Sequence, residues 1–200
     1  AAEENLIGVR GTFFDFTDDP WKHVGHEEEA ARFNQDGLLV IENGIIKDYG
    51  PYDKVAAKYP KAKITTINNR IIVPGFIDGH VHFPQTRVLG AYGLQLLPWL
   101  QDWIFPEETK YKDPAYAKEG VKHYFDNMLA GGTTTVLDFG TSFPNAVEAF
   151  FDEASNRNMR VICGIGGIDR NAPKTFVTPP DMFYAESKRL IEKYHGKGRN

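Results

Sequence analysis

The sequence predicts an α/β fold made of two parts that meet near residue 73. Before that point, short apolar stretches separated by turn residues are typical of β-strands. After it, apolar stretches alternate with longer amphipathic segments, and this alternation predicts β-α units around a parallel sheet. We therefore predict one domain over residues 1–73 and a second over residues 74–200.

Four strands are predicted in the first part. The first covers Gly8–Phe16, and Leu38–Ile41 forms a hairpin with Ile45–Ile46 around the pair Asn43-Gly44. Asn-Gly favours a type I′ turn because both central positions of that turn need a positive φ. The remaining two strands are Lys63–Ile67 and Arg70–Val73. The first part is therefore expected to be β-rich.

The segment Asp18–Asp36 interrupts these strands and is strongly polar. It contains His23, His26 and three consecutive glutamates. A His-x-x-His spacing can be half of a metal site, and the alternative is a solvated loop or short helix. Two histidines at a bare spacing are a weak signal, so we favour the solvated segment.

Three β-α units are predicted in the second part. Their strands are Phe76–His82, Thr133–Phe139 and Met159–Ile165. Their helices carry apolar residues at helical spacing and are Tyr116–Leu129, Asn145–Arg157 and Pro180–Tyr194. Thr178 is the expected N-cap of the third helix. A long connection, Phe83 to Ala115, follows the first strand, and loops at the C-terminal ends of such strands build active sites in β/α-barrels.

Composition excludes several classes of protein. The chain is 42% hydrophobic and 25% charged with a net charge of −4, and its mean hydropathy is −0.41. No apolar run approaches the ~20 residues of a membrane-spanning helix, and no basic cluster predicts nucleic-acid binding. The first residues show no secretory signal. One cysteine, Cys163, cannot form an internal disulfide, so we expect a reducing, cytoplasmic environment.

His80 and His82 are the first candidates for chemistry. They lie two residues apart on a predicted strand, so both side chains leave the same face. Neutral imidazoles are good Zn²⁺ ligands, and a catalytic zinc usually takes three protein ligands and one open position. The alternative is a pair of core or surface histidines, because the bare His-x-His spacing arises readily by chance.

The segment around these histidines resembles the opening motif of the amidohydrolase superfamily. Pro74-Gly75 precedes an apolar strand that ends in Asp78-Gly79-His80-Val81-His82, and the segment Gly132–Asp138 is also similar. The resemblance implies a (β/α)₈ barrel of the TIM type, a metal-dependent hydrolase, preceded by part of a small composite β-sandwich. It also implies that His80 and His82 bind the metal.

The residues after His82 resemble the guanine deaminase subgroup of that superfamily. The similar segments are Phe83–Thr86, Gly90–Gly93, Leu96–Leu100, Ile104–Glu108 and Ile168–Pro173. The resemblance implies a homodimeric enzyme that holds one Zn²⁺ per subunit and hydrolyses guanine to xanthine and ammonia. It implies a small purine substrate, without nucleic-acid or membrane partners.

Gln85 is the residue that we assign to substrate recognition. Its amide carries both donors and an acceptor, which suits a purine edge with a carbonyl beside an N–H, and the alternative is a solvated side chain. The resemblance places substrate contacts at His82, Phe83, Pro84 and Gln85.

Other residues near these segments have more ordinary interpretations. Trp99, Trp103 and Phe105 could line a pocket or pack the long loop on the barrel, and for each of them we favour packing. For Asp169 and Arg170 a functional role and a loop contact are equally favoured, and His123 and His195 are read as structural.

The remaining machinery is expected outside these 200 residues. A complete barrel needs eight strands and ~250 residues, whereas three β-α units follow residue 73. The resemblance places the other metal ligands and the catalytic carboxylate beyond Asn200, so no catalytic residue is assigned in this chain. Two alternatives stay open: an aminohydrolase or chlorohydrolase acting on another purine, a pyrimidine or a triazine, and a metal-free structural protein of the same fold.

Overall fold

The computed structural model describes residues 6–93 and 95–199. The chain separates into two compact units, one ending at Pro74 and the other beginning at Gly75. Strands in the first unit and alternating strands and helices in the second confirm the predicted α/β class. Within the described ranges, no helix has both the length and the apolar character needed to cross a bilayer.

The first unit is built on a four-stranded sheet in the order β3-β2-β1-β4. Strands β1 and β2, and β2 and β3, are antiparallel, whereas β1 and β4 are parallel. A small core of Leu6, Leu38, Val40 and Val55 lies on one side of this sheet. The elements are β1 (Leu6–Phe16), β2 (Ala31–Glu42), β3 (Ile45–Pro51), α1 (Tyr52–Ala56) and β4 (Lys63–Ile72).

The predicted hairpin is confirmed. Strands β2 and β3 pair across Asn43 and Gly44, whose φ angles are +51° and +80°. Both values lie in the left-handed region that a type I′ turn requires. The turn residues alone therefore fixed the position of this reversal.

The prediction of two strands between Lys63 and Val73 was wrong. A single strand, β4, runs through both, and Asn69 adopts a φ of +57° within it. Opposite this point, the pairing with β1 skips from Thr66 to Ile71. Asparagine tolerates the left-handed region, so the residues that suggested a break produce a bulge instead.

The polar segment Asp18–Asp36 is partly a strand. Two 3₁₀ turns, Pro20–His23 and Glu27–Ala30, occupy its first half as a solvated segment. From Ala31 onward it forms β2, whose polar beginning pairs with the end of β1. The His23 Nε2 atom lies 3.2 Å from Asp18 Oδ2, and His26 is exposed. Exposed polar residues carry no hydrophobic alternation, and for that reason the start of β2 was not predicted.

The second unit contains a three-stranded parallel sheet in the order β5-β6-β7, as predicted. Helices follow each strand, and two short helices lie in the long connection after β5. The elements are β5 (Phe76–Val81), α2 (Leu96–Trp99), α3 (Phe105–Thr109), α4 (Pro114–Ala130), β6 (Thr133–Phe139), α5 (Pro144–Asn156), β7 (Arg160–Gly164) and α6 (Pro180–Tyr194).

Helices α4 and α5 cover one face of this sheet. Val136 of β6 and Val161 of β7 point toward them and are buried. Phe83, just after β5, is fully buried in the same core, where its ring stacks on Phe150 at 4.9 Å. Burying an aromatic side chain of this size contributes ~1.5–3 kcal/mol. The chain after β5 is therefore anchored in the core.

The N-cap prediction for α6 was wrong. The helix begins at Pro180, so Pro179 occupies the N-cap position and makes no side-chain cap. Thr178 lies one residue earlier, and its hydroxyl donates to the Phe176 carbonyl. Two prolines fix φ where the helix begins, and they place the boundary one residue later than the threonine indicates.

Candidate metal and substrate site

His80 and His82 leave the C-terminal end of β5 on one face of the sheet. Their ring centroids are 5.1 Å apart with the rings edge to face. The His82 ring also lies 5.2 Å from the ring of Phe139, at the end of β6. His80 is exposed and His82 is half-buried. The predicted pair therefore meets at one sheet edge.

The surroundings of His82 favour the neutral form of its imidazole. Burial lowers its pKa, and the neighbouring His80 lowers it further by repulsion. Neutral imidazole is the ligand form of histidine. Over the described ranges, no three His, Cys, Asp or Glu side chains are grouped closely enough to hold a metal. The two histidines therefore fit part of a metal site.

The turn that follows His82 is held firmly. The backbone of Gln85 donates to the His82 carbonyl at 3.1 Å, and the Thr86 hydroxyl donates to the Phe83 carbonyl at 2.8 Å. Pro84 is buried together with the Phe83 side chain. Phe83 and Pro84 therefore anchor the turn in the core, while Gln85 remains partly exposed.

Asp138 supports this turn from β6, a role that the sequence did not indicate. Its Oδ1 accepts from the Phe83 backbone N–H at 3.2 Å. Its Oδ2 and the Tyr124 hydroxyl are buried without a well-formed hydrogen bond. Burial raises the pKa of Asp138 to about 8; the Tyr124 and Phe83 donors oppose the rise, and the charges of Asp78 and Glu108 add to it.

Glu108 of α3 is a second buried acid, and it contacts Gln85 directly. The Gln85 Nε2 donates to a Glu108 carboxylate oxygen at 3.2 Å. Burial raises the Glu108 pKa, and the Gln85 amide and the Thr141 hydroxyl oppose the rise. Sequence reasoning assigned Glu108 no role. The available signal was a pair of acids directly after the apolar run Ile104-Phe105-Pro106.

The other candidate residues have mostly structural contacts. The Trp99 indole donates to the Ala91 carbonyl at 2.9 Å, and Phe105 packs against Phe176. A Cβ at Gly93 would lie 2.6 Å from Trp99, so this loop requires glycine there. The remaining residues, which are all exposed, are Trp103, His123, Asp169, Arg170 and His195.

Comparisons with known proteins agree on one family. Residues 71–198 match the Amidohydrolase family. The whole chain is 40% identical to a guanine deaminase from Escherichia coli K12, over 45% of that protein. The chain thus spans less than half the length of this curated relative.

Solved structures give the same result. A guanine deaminase from Bradyrhizobium japonicum is 64% identical over 98% of this chain and 42% of its own, with a TM-score of 0.93. A guanine deaminase from C. acetobutylicum with bound guanine is 27% identical over 96% of this chain and 44% of its own, with a TM-score of 0.82. An adenosine deaminase from Xanthomonas campestris with bound zinc shares the fold at 22% identity, covering 96% of this chain and 40% of its own, with a TM-score of 0.68.

Proposed function

This chain belongs to the amidohydrolase family, and from that membership we propose that it is the N-terminal part of a zinc-dependent guanine deaminase. The observation that carries the proposal is the 64% identity to a guanine deaminase over 98% of the chain. The reaction converts guanine and water to xanthine and ammonia. The water oxygen adds to the ring carbon that bears the amino group, one water proton passes to the neighbouring ring nitrogen and the other to the amino group, and the carbon–nitrogen bond then breaks to release ammonia and leave a carbonyl.

His80 and His82 would hold the metal, with one Zn²⁺ in each subunit. Their shared face and the lowered His82 pKa support this role. A catalytic zinc takes three protein ligands, so further ligands would come from outside the described residues. When bound, zinc supplies the Lewis acidity that yields hydroxide from water at neutral pH.

Gln85 would bind the lactam edge of guanine, with His82, Phe83 and Pro84 on the same turn beside the base. The turn that carries Gln85 begins at His82, so base and metal would lie next to each other. An adenine amine reverses the donor pattern at that edge and leaves the amide partly unpaired. An unpaired buried polar group costs ~1–3 kcal/mol, which corresponds to roughly ten- to hundredfold discrimination.

We also propose a cytoplasmic homodimer whose five other β-α units and remaining sandwich strands lie outside this chain. The single Cys163 supports a reducing environment, the 45% coverage of the relative supports the further units, and the homodimer is what the resemblance implies. No nucleic-acid or membrane partner is proposed.

The test uses the full-length protein that carries this sequence. Guanine, adenine, cytosine and a chlorotriazine are supplied in turn, and the release of ammonia or chloride is followed. Guanine should have the highest kcat/KM. His80→Ala or His82→Ala should lose bound metal and turnover together, and elemental analysis of the same samples separates zinc from iron.

Two outcomes would contradict parts of this proposal. A better substrate among the other three compounds would leave the family assignment but remove guanine. Full metal content in His80→Ala would remove the metal assignment. Gln85→Ala serves as the matched control, because it should retain the metal while its kcat/KM for guanine falls to a lower but measurable value.

A further inference from the structure

Glu108 is a buried carboxyl that accepts a hydrogen bond from the neutral Gln85 amide. Its residue is 9% exposed, and it faces the Gln85 amide and the Thr141 hydroxyl. The adjacent Glu107, which is also buried, pairs instead with Lys110 at 2.7 Å and with the Tyr116 hydroxyl. Burying a carboxylate costs free energy of folding unless a cation and hydrogen bonds compensate for the lost hydration. Among the described residues, Glu108 makes no ion pair. Its burial therefore does not stabilise the fold, and this points to a role in the site.

The Gln85 side chain has two chemically different ends. An amide can rotate by 180°, which exchanges its carbonyl oxygen for its NH₂ group in nearly the same space. When it is ionised, the Glu108 carboxylate only accepts hydrogen bonds, so it stabilises the one orientation in which Nε2 faces it. With Nε2 at 3.2 Å from Glu108, the Gln85 Oε1 and the second N–H are left for a ligand.

The backbone around Gln85 leaves few other adjustments. Phe83 is held by the core and by Asp138, and the Gln85 N–H is taken by the His82 carbonyl. Glu108 comes from α3, on a different part of the loop from the turn that carries Gln85. Glu108, which accepts from Nε2, therefore sets the directions in which the amide oxygen and the NH₂ group of Gln85 point.

We propose that Glu108 is a positioning residue that fixes the orientation of the Gln85 amide for recognition of a purine lactam edge. This inference rests on the proposed function. A lactam edge presents a carbonyl beside an N–H, and only one orientation of the amide pairs with both. The reversed amide would place carbonyl against carbonyl and N–H against N–H.

The experiment compares Glu108→Gln with Glu107→Gln in the full-length metal-loaded enzyme. A glutamine at 108 can donate or accept, so it permits both orientations of Gln85. We expect kcat/KM for guanine, per bound metal, to fall roughly 3- to 10-fold, mainly through KM. Glu107→Gln makes the same substitution at the adjacent buried glutamate, which does not touch Gln85, and KM should stay unchanged.

A double-mutant cycle separates positioning from a general structural effect. In the Gln85→Ala background, Glu108→Gln should have no further effect on kcat/KM, because the amide that it orients is gone. An equal fall in both backgrounds, or an equal rise in KM for Glu107→Gln, would overturn the positioning role. Absence of guanine turnover by the unchanged enzyme would instead overturn the proposed function itself.

Discussion

At the scale of single residues, the site depends on buried polar groups behind the motif. Asp138 holds the Phe83 N–H, and Glu108 holds the Gln85 amide. Neither acid stands on the sheet face that carries the two histidines, yet both hold the turn that begins at His82. The histidines could be predicted because strand periodicity places them on one face. The two acids could not, since their burial depends on packing between segments far apart in sequence.

Asp138 should make the stability of the folded protein depend on pH. Because its folded pKa is raised to about 8, the folded protein retains a proton that the unfolded chain releases. Stability contributed by this group is present below the ordinary aspartate pKa and is lost as pH rises toward 8. Asp138→Asn keeps an acceptor for Phe83 without a titration, so its Tm should exceed that of the unchanged protein by a margin that grows from pH 4 to pH 8.

Asp138→Leu is the matched variant. It fills the space but leaves the buried Phe83 N–H without an acceptor, which should cost ~1–3 kcal/mol at every pH. Thermal unfolding of the three full-length proteins across this range checks both expectations. A margin for the asparagine variant that shrinks with pH would contradict the raised pKa.

At the scale of elements, the parallel strands begin with a close approach. A Cβ at Gly75 would lie 2.1 Å from the Thr134 hydroxyl oxygen, so only glycine allows β5 to start against β6. Gly79, four residues along, has open space at the same position. The Pro74-Gly75 pair therefore has a packing role in addition to its place in the family motif.

Gly75→Ala should destabilise the protein by ~1–3 kcal/mol, because Thr134 is short and the strand itself must shift. Gly79→Ala adds the same methyl group without a clash and is the control for the loss of backbone freedom. Denaturant unfolding of both variants provides the measurement. Equal stability of the two would show that β5 and β6 separate easily at this end.

The elements differ in how far the sequence predicts them. Helix α5 was predicted to within a residue because its apolar side chains, such as Val147 and Phe150, repeat at helical spacing. Strand β2 was predicted only from Leu38 onward, since its first residues are exposed and held by pairs such as Arg32 with Asp15. Local pattern predicts an element where one face is buried, and cross-strand partners decide it elsewhere.

At the scale of the molecule, the parallel sheet is covered on one face and open on the other. Val161 is 2% exposed, whereas the next residue of β7, Ile162, is 56% exposed. Leu137 and Phe139 of β6 are exposed in the same way, on the face that carries His82. Parallel sheets are normally buried on both faces, and in the proposed barrel this face would be the packed interior.

The open face predicts the behaviour of residues 1–200 expressed alone. An apolar surface of this kind favours association and binding of hydrophobic dyes. The isolated chain should therefore bind dye strongly, show weak near-UV ellipticity and associate in sedimentation. Leu137→Thr with Ile162→Thr removes apolar area from the open face and should reduce dye binding. Val136→Thr with Val161→Thr introduces threonines on the covered face instead and should increase dye binding, because it weakens the buried core. A monodisperse chain that unfolds cooperatively without binding dye would contradict this expectation. Because an exposed apolar face binds dye or associates, such a result would show that the open face is covered within the isolated chain.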